Sequence, residues 1–110
     1  MEEFIKGDVV VVPFPFSDLS QSKRRPTLII QNFNGEDLLL AQITSQTVRN
    51  EYAVPLEEND FKQGSLKKPS NIRPEKLFTC SKNLILYKIG YLKISKMRKV
   101  IQSIKDLLDQ

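Results

Sequence analysis

Gly7-Asp8-Val9-Val10-Val11-Val12-Pro13-Phe14 and, further on, Arg25-Pro26-Thr27-Leu28-Ile29-Ile30-Gln31-Asn32-Phe33-Asn34-Gly35-Glu36-Asp37-Leu38-Leu39-Leu40-Ala41-Gln42-Ile43-Thr44 decide the fold of this chain. The β-branched run over residues 9–13 suits a sheet. Pro13 and Pro15 keep its far end from pairing on both edges. Residues 27–31 read as a second strand and residues 37–43 as a third. Asn34-Gly35 between them is a strong hairpin signal. Antiparallel pairing through that turn sets Pro26 and Thr27 nearly opposite Ile43 and Thr44, to within about two residues. Arg25 and Thr44 then lie at the same end of the sheet.

Outward from this hairpin the pattern stays β-rich. The polar residues 17–25 read as a loop, and Pro26 pushes Arg25 towards an extended backbone. Residues 51–56 form a fourth strand, with Tyr52 and Val54 on one face. Residues 57–69 are polar, contain Gly64 and read as a surface loop. Residues 71–73 are extended, and Pro74-Glu75-Lys76-Leu77 fits one helical turn with proline at its first position. Residues 84–89 form another strand. Near the C-terminus Ser95 suits an N-cap. Met97, Val100, Ile101, Ile104, Leu107 and Leu108 then repeat at helical spacing, a stripe that packs on the sheet. Short strands, a hairpin turn and one late helix predict an α+β fold: a small, mostly antiparallel β-barrel carrying a C-terminal α-helix. With 110 residues and no linker, residues 1–110 are expected to form a single domain.

Composition removes several kinds of chemistry. There is no histidine, the commonest general base and transition-metal ligand. Cys80 is the only cysteine, so neither an internal disulfide nor a structural zinc site is expected. Glu36-Asp37 and Glu57-Glu58 look like loop surface rather than a hard-cation site, and no metal or cofactor is expected. The longest apolar run, residues 9–16, is too short for a membrane span and holds two prolines. With an acidic N-terminus, these features predict a cytoplasmic protein. The net charge of +4 is unevenly spread: residues 62–105 hold 12 basic and one acidic side chain, residues 1–61 hold 5 basic and 10 acidic. The basic stretch suits a polyanion such as nucleic acid, or else a lysine-rich solvated face.

Three polar segments could carry chemistry. Ser20-Gln21-Ser22-Lys23-Arg24-Arg25-Pro26 is basic and hydroxyl-rich. Gln42-Ile43-Thr44-Ser45-Gln46 ends the third strand. Arg73-Pro74-Glu75-Lys76 puts charge beside a turn. A guanidinium matches two phosphate oxygens with its planar fork, and a neighbouring hydroxyl can donate to a third. As an RNA 2′-hydroxyl attacks the adjacent phosphorus, charge grows on those oxygens, and fixed donors stabilise that state above the ground state. The residues alone favour a surface ion pair for Arg25 and a plain strand end for Thr44 over this chemistry.

Residues 7–20, the following Lys23-Arg24-Arg25-Pro26-Thr27-Leu28-Ile29-Ile30, and Ala41-Gln42-Ile43-Thr44-Ser45-Gln46 resemble the PemK/MazF family of toxin–antitoxin endoribonucleases. Residues 70–79 and the closing helix fall in the family's order. The resemblance implies an SH3-like barrel, usually a homodimer. It also implies metal-independent cleavage of single-stranded RNA, chiefly messenger RNA, leaving 2′,3′-cyclic phosphate and 5′-hydroxyl ends. A small acidic antitoxin would neutralise it. Carried over, Arg25 and Thr44 are the catalytic pair, Arg25 stabilising the phosphorane and Thr44 donating to a phosphate oxygen. Ser20, Ser22, Lys23, Arg24, Ser45, Gln46, Arg73 and Lys76 are the implied RNA-binding residues. The chain departs from the family at Ser20-Gln21-Ser22-Lys23, where many members carry Gly-Ser-Glu. It departs again at Lys76, where some members place glutamine. Two further readings stand beside this one: a non-catalytic nucleic-acid-binding module, and a gyrase poison of related fold.

Overall fold

The computed structural model describes residues 3–14 and 23–110. Seven strands and one helix follow in order: β1 (Asp8–Phe14), β2 (Lys23–Asn32), β3 (Asp37–Thr44), β4 (Val54–Leu56), β5 (Phe61–Gln63), β6 (Ser70–Ser81), β7 (Tyr87–Leu92) and α1 (Ile94–Leu108). All strand pairs are antiparallel, in the order β4-β6-β3-β2-β1-β7-β5. The sheet curls into a half-barrel, with its edge strands β4 and β5 joined by a short turn over Glu58–Asp60. The α+β expectation of a small antiparallel barrel with a C-terminal helix is borne out.

β1 shows why its valines do not alternate with polar residues. Val9 belongs to a core shared with Leu28, Ile43, Ile72 and the α1 residues Met97, Val100 and Ile104. Val10 and Val12 enter a second core with Phe4, Ile29, Leu38, Leu40 and Cys80. Both faces are therefore covered, and an unbroken apolar run is what such a strand requires. The Gly7-Asp8 opening anchors it. Gly7, at φ +99°, donates its N–H to Ile29 O at 2.9 Å and accepts from Leu92 N at 3.0 Å. The buried Asp8 carboxylate accepts from Ile5 N at 3.0 Å and lies 3.4 Å from Lys88 Nζ.

The β2–β3 hairpin matches the expectation to within one residue: Thr27 faces Gln42 and Leu28 faces Ala41. Asn34 takes the left-handed backbone (φ 63°) that an Asn-Gly turn needs. Elsewhere the expectations need correction. β2 begins at Lys23, not Thr27, because Lys23, Arg24 and Arg25 pair with Phe14, Pro13 and Val12 of β1. They are strand residues, not loop. Pro74-Glu75-Lys76-Leu77 makes no helical turn but lies inside the long strand β6. The β3–β6 pairing jumps from Ala41↔Leu77 to Gln42↔Arg73, so Pro74, Glu75 and Lys76 have no partners on β3. A bulge tolerates a proline that a regular ladder would not.

The fourth strand shrinks to Val54–Leu56, because the Asn50 side chain holds a turn by accepting from Tyr52 N (2.8 Å) and Ala53 N (2.9 Å). The expected loop over residues 57–69 contains β5. The strand expected over 84–89 runs over Tyr87–Leu92, displaced by a turn at Lys82–Leu84 capped by the Ser81 hydroxyl. Helix α1 starts at Ile94, after Lys93, with no side-chain cap, so Ser95 is not the N-cap. Backbone anchoring sets the start instead, since Lys93 N donates to Asp60 O at 2.9 Å. Buried Lys96 reinforces this, donating to Pro55 O at 2.9 Å and lying 3.3 Å from the Asp60 carboxylate.

Gly64 and Gly90 mark the closest backbone approach. A Cβ on Gly90 would stand 2.1 Å from Gln63 O, while one on Gly35 meets nothing within 4 Å. Gly90→Ala is expected to lower unfolding free energy by about 1–3 kcal/mol or more, because β5 must move away. Gly35→Ala is expected to stay within about 0.5 kcal/mol of the parent. Urea denaturation of the two variants side by side measures the difference.

Candidate functional site

The register builds a polar patch across three strands. Thr27 of β2, Gln42 of β3 and Arg73 of β6 stand in one row. Two residues further along each strand lie Arg25 and Thr44, with Asn71 facing Thr44. Side chains two apart share a face of a strand. Arg25, Thr27, Gln42 and Thr44 therefore crowd one face at one end of the sheet. They line a cleft of about 190 Å³ with Phe14 and Arg73 on its walls. A second cleft of about 320 Å³ adjoins it, sharing Thr44, Gln46 and Arg73 and extending over residues 47–50.

Each polar group in the first cleft has a distinct status. Thr44 Oγ1 accepts from Gln46 N at 3.1 Å, which leaves the hydroxyl proton for a ligand. Arg25 is exposed, and no described residue forms a hydrogen bond or ion pair with its side chain. Arg73 is held: its Nε and one terminal nitrogen each lie 2.9 Å from Glu75 Oε2. The same oxygen accepts from Asn50 Nδ2 at 2.7 Å. Thr27 Oγ1 is buried and has no hydrogen-bond partner among the described residues.

Of the residues singled out from the sequence, Arg25, Thr44, Gln46 and Arg73 meet at the cleft. Lys23, Arg24, Ser45 and Lys76 are exposed and lie outside its lining. Arg24 alternates to the opposite face of β2 from Arg25. Ser20 and Ser22 lie outside the described residues. Thr27 and Phe14 were not legible as site residues, and Gln42 was legible only as part of the polar segment that ends the third strand, although Thr27 and Gln42 sit two positions from Arg25 and Thr44. Glu75 was legible only as charge beside a turn, not as the partner of Arg73 and Asn50. Its signal was its isolation, as the single acid among residues 62–105. Cys80 lies in the second core, where burial pushes its thiol pKa up, with the nearby Asp37 charge adding to the effect. That suits an unreactive thiol.

Among the described residues no group of three His, Cys, Asp or Glu side chains converges on one point. Nor is any described helix long and apolar enough to cross a membrane.

Burial alone would raise the Glu75 carboxyl. Hydrogen bonds from its own backbone N–H, from Arg73 and from Asn50, with the Arg73 charge, outweigh that and hold its pKa below the ordinary glutamate value. A carboxyl with a depressed folded-state pKa stabilises the fold above its unfolded pKa and loses that contribution as pH falls through the folded value. The parent is therefore expected to lose stability more steeply than Glu75→Gln as pH drops below the ordinary glutamate range. Urea midpoints of both proteins across an acid titration measure this.

A family model described as PemK-like, MazF-like toxin of type II toxin-antitoxin system matches residues 5–108. A search of curated protein sequences finds no match. Among solved structures, the Mycobacterium tuberculosis toxin MazF-mt6 superposes with TM-score 0.71 at 20% identity, covering 93% of this chain and 96% of that one. The Deinococcus radiodurans MazE-MazF complex (Form-II) superposes with TM-score 0.78 at 16% identity, covering 100% and 99%. A mycobacterial endoribonuclease in complex with its cognate antitoxin gives 0.74 at 17% identity, covering 99% and 96%. Identities this low carry the fold alone, whereas the family model spans nearly the whole sequence. On that match the chain belongs to the PemK-like, MazF-like toxins of type II toxin–antitoxin systems.

Proposed function

We propose that residues 1–110 form a single PemK/MazF-like domain that cleaves single-stranded RNA in the cytoplasm, messenger RNA above all, at short sequences. The observation that carries this reading is the convergence of Arg25 and Thr44, from neighbouring strands, on one open cleft. In the proposed reaction the 2′-oxygen of a ribose forms a bond to the adjacent phosphorus as the bond from phosphorus to the 5′-oxygen breaks. The 2′-hydroxyl proton leaves with a base, and the departing 5′-oxygen is protonated. The products are a 2′,3′-cyclic phosphate and a 5′-hydroxyl end.

Arg25 offers its fork to the oxygens of the pentacoordinate phosphorus. With a free pKa above about 12, a guanidinium is a poor proton shuttle, so its role is electrostatic. The Thr44 hydroxyl donates to a phosphate oxygen. Gln46 and Arg73 hold the strand on either side. None of these roles calls on a metal ion. Solved relatives of this fold include complexes with MazE and with a cognate antitoxin. A small acidic antitoxin is the corresponding partner proposed here, and a homodimer the corresponding assembly.

The purified protein is expected to cut single-stranded RNA in the presence of EDTA. Arg25→Ala is expected to slow cutting by about 10²–10³, the usual cost of one transition-state donor, with an unchanged circular dichroism spectrum. Mapping the RNA ends checks the chemistry. Tight binding without cyclic-phosphate ends would instead identify a binding module. Growth arrest with intact messenger RNA and damaged DNA would identify a gyrase poison.

A further inference from the structure

The second cleft extends past the groups assigned to bond breaking, and its construction is specific. It opens beside Thr44 and Arg73 and continues over Gln46, Thr47, Val48 and Arg49. Half-buried Val48 presents an apolar surface, while the exposed side chains of Gln46, Thr47 and Arg49 supply an amide, a hydroxyl and a guanidinium. No described residue pairs with Arg49. An apolar rest ringed by donors and acceptors is the chemistry that reads an unstacked nucleobase on its edges.

The walls of this cleft are also held in place. Asn50 spends its side chain entirely on structure, accepting from Tyr52 N and Ala53 N and donating to Glu75 Oε2. Glu75 gathers Asn50 and Arg73 on one carboxylate oxygen, and its other oxygen is buried without a hydrogen-bond partner among the described residues. One carboxylate thus ties the bulge of β6 to the segment after β3. The arginine common to both clefts and the segment lining the second keep a set spacing.

We infer that the second cleft is a recognition subsite for the base of the nucleotide flanking the scissile phosphate. Thr47, Val48 and Arg49 are its contacts, and Glu75 is the positioning residue that sets it against the first cleft through Asn50 and Arg73. This rests on the RNA-cleavage reading, and goes beyond it in assigning sequence discrimination to residues outside the cutting site.

The test uses short 2′-O-methyl oligoribonucleotides, which cannot be cut, with one base varied at each position and binding read by fluorescence anisotropy. Unmodified random-sequence RNA is cleaved in parallel and its new ends are mapped. Thr47→Val and Arg49→Ala are expected to lower base discrimination at one position beside the cut about tenfold, the scale of one lost polar contact. Discrimination at other positions stays as in the parent. Glu75→Ala, which touches no ligand, is expected to blur the same position, and Glu75→Gln to restore part of it. Thermal melts confirm that each variant is folded. Unchanged discrimination in folded Thr47 and Arg49 variants, from a parent that cuts RNA, overturns the subsite and spares the cleavage reading. A parent that discriminates at that position but releases no cyclic phosphate supports the subsite and overturns the cleavage reading. A parent that binds none of the oligonucleotides and leaves the unmodified RNA uncut overturns both.

Discussion

The antiparallel register between β2 and β3 is the constraint on which the rest of the molecule depends. A slip of one residue reverses the face of every side chain on a strand. Such a slip would carry Arg25 away from Thr44 and bury polar groups where Leu28 and Ala41 now pack. The register is secured from both sides. Leu28 and Ile30 fit the core beneath α1, and Ile29 fits the opposite core with Leu38 and Leu40. The site is thus a by-product of apolar packing: the cores select the pairing, and the pairing leaves an arginine and a threonine together where the ladder ends.

The two arginines at the cleft are in contrasting electrostatic states. Arg73 shares its charge with Glu75, so it is oriented but partly neutralised. Arg25 has no such partner among the described residues, and its full charge is available to an incoming anion. A cleft with one anchored and one open cation can hold a polyanion and still concentrate its strongest field at a single phosphate. The rest of the basic stretch lies outside this cleft, where lysines such as Lys76 act at longer range and are more fully screened by salt.

The legible parts of the sequence were those governed by local rules. The Asn34-Gly35 turn, the β1 valines and the helical stripe each carry their own periodicity or turn chemistry, and all three were readable. So was the pairing of Arg25 with Thr44, because a hairpin converts spacing along the chain into opposition across strands. Pro74 misled, since proline opens helices more often than it sits in long strands. Only its pairing context, a bulge with nothing opposite, makes it tolerable in β6. Ser95 misled in the same way, because the helix start is set by contacts between Lys93 and Asp60, far apart in sequence. Glu75 and Asn50 could not be linked beforehand, because 25 residues separate them and nothing local brings them together.

The curled sheet ends in two edge strands, β4 and β5, of only three residues each, and β4 carries Pro55 at its centre. An exposed edge is where foreign chains zip on, in proportion to the run of free backbone it offers. On β4 and β5 that run is very short, interrupted by an imino acid in one and joined by a tight turn to the other, while β6 beyond Ile72 and β7 before Tyr91 overhang them and pair with a strand on one side alone. The two terminal strands thus offer little purchase for fibril growth or strand exchange. A strand added from another chain would have to reach past them to the overhanging backbone of β6 or β7.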